Sequence, residues 1–198
     1  MGITGFLRFG AGCAVVLGTS IAVPGLIEIG TGETAATSLV LALGVAFGAP
    51  AIAALHLRQR ETSGRLGAVA FAVNVIGMGL FAAVAFALNT VLFHLPADVA
   101  REVQTGPTRP VFLGSALVFV VGSILFGVAM WRAGVFPRVA AAVYAVAVPS
   151  LALLAPLPDS PLTGLLHGVA GGVMVWLGAV LWRQPSHRYR HGGPALAR

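Results

Sequence analysis

The chain has 198 residues, of which 58% are hydrophobic and 9% charged, and it carries a formal net charge of +6. A soluble domain has about 25% charged residues, so a water-soluble globule is excluded: too little polar surface is available to coat it. All twelve basic residues are Arg, scattered between apolar runs without the basic patch that a phosphate backbone demands, so no nucleic-acid partner is expected.

In chain order, Arg8 precedes an apolar run, Phe9–Ile27, that is longer than the roughly 7–15-residue core of a signal peptide and has no A-x-A site after it, so it reads as a retained helix over about 9–29. Cys13 lies alone inside it, which leaves no internal disulfide or Cys-based zinc site. Further uncharged stretches of spanning length follow, predicting helices over about 34–57, 66–95, 110–131, 139–158 and 161–182. The third stretch, 32 residues from Leu66 to Ala97, exceeds what an upright span needs and is expected to tilt or to project beyond the hydrocarbon. The predicted fold is an all-α membrane protein, a six-transmembrane-helix bundle, with an Arg-rich cytoplasmic tail over 183–198.

The connections orient the bundle. Ten Arg (8, 58, 60, 65, 132, 138, 183, 188, 190, 198) fall on one side and only Arg101 and Arg109 on the other, which by the positive-inside rule places both termini in the cytoplasm. Glu28, Glu33, Asp98, Glu102 and Asp159 form an acidic outer rim. The segment from Arg132 to Arg138 reads R-x-G-x-x-P-R and resembles a tight turn found in small, uncharacterised multipass membrane proteins of actinobacteria; the exclusive use of Arg fits the same source. The resemblance covers about 14 residues with the preceding helix end, implies a bacterial plasma-membrane location, and carries no activity with it.

Small residues are expected at helix contacts, since lipid gives little hydrophobic drive between spans. Gly164, Gly168 and Gly172 suggest a four-spaced zipper, and Gly10, Ala14 and Gly18 a second. Pro24, Pro50 and Pro149 are candidate kinks. Arg65-Leu-Gly-Ala-Val-Ala-Phe-Ala-Val laid over Arg138-Val-Ala-Ala-Ala-Val-Tyr-Ala-Val suggests two related helical hairpins.

No Asp, Glu or Arg falls near a predicted span centre, which argues against a charged pathway through the midplane. The outer third holds the candidate chemistry: Glu28 and His167 as catalytic groups on small-residue faces, with Asn89, Ser115, His94, Phe81 and Phe119 as ligand-binding residues. Beside each stands a plainer reading: Glu28 in headgroup water, His167 donating to a backbone carbonyl, and Asn74 and Asn89 as interhelical hydrogen-bonding residues. Ser115 and His167 resemble the layout of rhomboid intramembrane proteases, but Leu113-Gly114-Ser115-Ala116 stands where that family has G-x-S-G, and the second helix lacks its H-x-x-x-N. No phosphate-binding loop, H-E-x-x-H motif or redox cysteine pair is present, so no metal and no cofactor is expected. The expected function is an outward-side pocket for a lipophilic small molecule, with isoprenoid or lipid modification by a carboxyl acid as its sharpest form. A small solute transporter and a non-catalytic subunit, homo-oligomeric or bound to a membrane partner, are the alternatives; membrane lipids are partners in every case.

Overall fold

The structure, a computed structural model, describes residues 2–154 and 160–183. The predicted tail beyond Arg183 and the last residues of the fifth predicted span lie outside it. The described residues are almost entirely helical, with no strand: α1 (Ile3–Thr31), α2 (Ala35–Gly44), a 3₁₀ turn (Val45–Phe47), α3 (Gly48–Thr90), a 3₁₀ turn (Leu92–His94), α4 (Ala97–Thr105), α5 (Arg109–Ala133), α6 (Arg138–Leu154) and α7 (Pro161–Arg183).

Local chemistry explains the breaks. Pro50 lacks an N–H and its ring crowds the carbonyl four residues back, where α2 gives way to the 3₁₀ turn Val45–Phe47. Within α3, Gly64 has φ 55 and ψ −148, outside the helical region and open to glycine alone. On either side of it His56 stacks on Phe71 at 4.3 Å, and Gly48 lies against Met78. These pairs are spaced symmetrically about Gly64, so α3 is two antiparallel arms, 48–63 and 65–90. Gly134, left-handed at φ 65, closes α5 by donating its N–H to the Met130 carbonyl before the chain reverses into α6.

Among the described residues the helices form a bundle of apolar rods, successive rods running antiparallel. α1 packs on α7 and on the α2–α3 rod, the second arm of α3 on α5, α5 on α6, and α6 on α7, closing a ring. One end of the ring collects Arg8, Arg58, Arg60, Arg65, Arg132, Arg138 and Arg183; the other collects Glu28, Glu33 and the short amphipathic α4 with Asp98, Arg101 and Glu102. The interior is built largely from alanine and glycine, while large apolar side chains such as Val146 (68% exposed) and Leu162 (69%) point outward. An apolar exterior on that scale is unsuited to water. Ile3–Thr31, Ala35–His94, Arg109–Ala133 and Pro161–Arg183 are long and apolar enough to cross a membrane, and the shorter Arg138–Leu154 is apolar too.

The glycine spacing at the α1·α7 contact departs from the four-residue zipper expected from sequence. Gly164 packs on the backbone of Gly25, Gly171 on that of Gly18, and Gly178 on that of Ala11, a seven-residue row in constant antiparallel register. Gly172 is exposed, with nothing within 4 Å of the place a Cβ would take. Gly10 faces Ala54 of α3 rather than α7, so Gly10 and Gly18 serve different neighbours. The heptad row holds because seven residues drift only about 20° around a helix, so a left-handed crossing keeps them in line.

Candidate functional site at the acidic end of α1 and α7

Two caps set the geometry of the candidate site. α1 ends at Gly32, φ 69, whose N–H donates to the Glu28 carbonyl at 2.9 Å, so Glu28 sits in the final turn. α7 starts from a reciprocal box: the Ser160 N–H donates to Thr163 Oγ1 (2.9 Å) and the Thr163 N–H to Ser160 Oγ (3.2 Å). One turn on, His167 Nδ1 lies 2.7 Å from the Thr163 carbonyl. A carbonyl only accepts, so Nδ1 carries a proton, and in the neutral ring Nε2 keeps its lone pair.

The heptad row brings the two candidate catalytic residues onto touching helices. His167 occupies the space a side chain at Gly25 would need, and Glu28 is three residues farther along α1. Glu28 shares an azimuth with Gly10, eighteen residues or about five turns earlier, and Gly10 packs on Ala54. Glu28 therefore faces the protein, on the side of α2 and α3. It is half-buried, and its Oε1 is inaccessible without a hydrogen-bond partner. A carboxyl oxygen so placed is costly, and a donor on a ligand would relieve it.

The remaining candidates occupy a different part of the ring. Phe81 and Phe119 stack on each other at 4.6 Å and 5°, joining the second arm of α3 to α5. Ser115 Oγ donates to the Val111 carbonyl at 2.7 Å, and Asn89 Nδ2 to the Ala85 carbonyl at 2.8 Å, each one turn back in its own helix. His94 is exposed, edge-on to Phe93 at 5.1 Å. The α3·α5 pair is separated from α1·α7 by α6 on one side and by the α2–α3 rod on the other.

Between those groups lies a polar network that sequence reasoning saw only through Asn74. Asn74 Nδ2 donates to the Tyr144 hydroxyl (2.9 Å), and Ser123 Oγ donates to Asn74 Oδ1 (3.2 Å); all three residues are fully buried. Gly122 lets α5 approach the Asn74 backbone, and Gly77 lets α3 approach that of Phe119. The available signal was the Gly122–Ser123 pair, a small residue beside a hydroxyl in mid-span. Among the described residues no three His, Cys, Asp or Glu side chains gather as a metal site would require. Comparison with protein-family models, with curated proteins and with solved structures returned no match.

Proposed function

We propose that the chain is a six-span protein of the bacterial plasma membrane, its Arg-rich end cytoplasmic, that binds a lipophilic small molecule from the outer side at the outer ends of α1 and α7. In its sharpest form the site modifies an isoprenoid or other lipid, with the Glu28 carboxyl giving up a proton and His167 Nε2 accepting one. The observation that carries this reading is the buried, unpartnered Glu28 Oε1 on a helix whose Gly25 seats the His167 ring. At that end of the α1·α7 seam Ile29 lies against Gly164 and Leu26 against Gly168, apolar neighbours that suit a hydrocarbon ligand.

A photoactivatable isoprenoid or lipid probe, added to the full chain in nanodiscs, tests it. Cross-links should concentrate in 23–31 and 161–169, compete with unlabelled probe, and persist in Glu28→Gln, which keeps the shape and loses the acid. If turnover of a lipid substrate is found, Glu28→Gln should abolish it. Labelling confined to outward-facing residues such as Val146, without competition, would rule the site out.

Orientation is tested separately with thiol reagents in a Cys13→Ala background. Cys at the exposed Thr105 should react from outside and Cys at the exposed Thr62 should not; labelling at Thr62 would invert the orientation. Ser63 is a poor reporter, because its hydroxyl is buried.

A second reading, a non-catalytic subunit, draws on Gly172, which sits open on the exterior of α7 with Leu165, Val169 and Trp176 exposed around it. Blue-native electrophoresis of Gly172→Leu distinguishes it: loss of a higher-order species supports the subunit reading, and an unchanged monomer removes it.

A further inference from the structure

The Arg-rich end of the bundle carries a second set of polar groups, remote from Glu28 and His167. On the first arm of α3, His56, Gln59 and Ser63 follow at intervals of three and four residues and so share one stripe of the helix, over about 10 Å. Gln59 is 0% exposed, and neither its amide nitrogen nor its amide oxygen has a hydrogen-bond partner. His56 Nδ1 and Ser63 Oγ are buried and unpartnered in the same way. Native interiors leave few such atoms unsatisfied, and three potential donors, at His56 Nδ1, Gln59 Nε2 and Ser63 Oγ, within two turns of one helix mark a place where the acceptor atoms of a ligand are bonded.

The surroundings decide which ligand. The His56 ring lies flat on Phe71, Ser63 fills the space beside Gly67, and the two arms part at Gly64. Between residues 56 and 65 the charges are Arg58, Arg60 and Arg65 against the single Glu61, so the local field favours an anion. Amide N–H, hydroxyl and imidazole N–H groups are donors that phosphate oxygens accept well. Basic clefts between membrane helices are also where phospholipid headgroups dock. We propose that the Arg-rich end of α3 binds a phosphate group through Gln59, Ser63 and His56. This site is independent of the outer one, and its failure leaves the reading of Glu28 untouched.

The test uses the full chain, purified in detergent and followed by native mass spectrometry with added phosphatidylglycerol or phosphatidylcholine. Inorganic phosphate, at ionic strength matched with chloride, is titrated separately against the unfolding temperature. Wild type should prefer phosphatidylglycerol by about tenfold, roughly 1.4 kcal/mol. Gln59→Leu should erase the preference and Ser63→Ala reduce it several-fold, with no loss of unfolding temperature in lipid-free detergent. Retention of lipid without a response to inorganic phosphate identifies a headgroup; stabilisation by inorganic phosphate identifies a free ligand. Should Gln59→Leu fail to fold, Ser63→Ala decides. No phosphatidylglycerol preference and no phosphate response in wild type, or wild-type behaviour in the variants that fold, overturns the proposal.

Discussion

The two tightest seams of the bundle hold together by different means. At α1·α7, Gly164, Gly171 and Gly178 bring backbone against backbone, and the described contacts of that row involve no interhelical side-chain hydrogen bond. At α3·α5·α6, glycine supplies the close approach as well, through Gly77, Gly122 and Gly127, but Asn74, Ser123 and Tyr144 add a buried hydrogen-bonded chain across three helices. Inside a membrane neither seam gains much from the hydrophobic effect, because lipid tails are as apolar as leucine. The first seam therefore depends on shape alone, and the second on shape plus a polar pin that fixes register. The candidate site lies at the end of the shape-only seam, where a ligand can separate the helices without breaking a hydrogen bond between them.

The largest effect expected from this contrast is at Gly171. A side chain there collides with the Gly18 carbonyl and the Ala22 backbone, so Gly171→Leu should destabilise by about 1–3 kcal/mol or more, as overpacking does. Gly172→Leu, one residue away and facing outward, should leave the monomer's unfolding temperature in detergent nearly unchanged. Equal losses in the two variants would show that α7 is rotated from its place in the ring.

An intermediate effect is expected at the polar pin. Asn74→Ala removes the acceptor for Ser123 and the donor to Tyr144, and should cost about 1 kcal/mol. In a double-mutant cycle with Tyr144→Phe the coupling should be near 0.6 kcal/mol, the average for interhelical hydrogen bonds in membranes, and below about 1.7. A coupling of zero would mean that the second seam, like the first, rests on packing alone.

Composition and the positions of Arg reveal the apolar rods and the partition of charge between the two ends, because both are properties of single segments. Helix ends are less visible. α1 begins at Ile3 rather than Phe9, since Arg8 limits the hydrocarbon stretch but not the helix. The second arm of α3 stops at Thr90, ahead of the 3₁₀ turn and Pro96, whose ring disfavours helix in the residue before it. Register is a property of pairs. Gly164, Gly168 and Gly172 fit a four-residue zipper as well as Gly164, Gly171 and Gly178 fit a seven-residue one, and only the second stays in line, because each four-residue step turns about 40° around the helix. That α1 and α7, the helices carrying Glu28 and His167, are neighbours is hidden for the same reason. Tyr144 is a single polar residue in an apolar run and Gln59 lies in a charged run between Arg58 and Arg60, and no periodicity points to the burial of either.

The smallest expected effects lie at Ser115 and Asn89, and they sharpen the contrast most at the candidate site. Each side chain donates to a carbonyl one turn back in its own helix, a bond that competes with water and joins nothing across the bundle. Truncation to Ala leaves those carbonyls with their helical partners and orphans no buried group, so Ser115→Ala and Asn89→Ala should each fall within about ±0.5 kcal/mol of wild type. Because α5 and the second arm of α3 stand across the ring from α1·α7, neither variant should change cross-linking of a lipophilic probe to 23–31 or 161–169. A clear loss of labelling in either one, with the unfolding temperature unchanged, would mean that the ligand reaches across the bundle. The two seams would then line one shared cavity, and the phenylalanine stack of Phe81 on Phe119 would become part of its wall rather than a contact between helices.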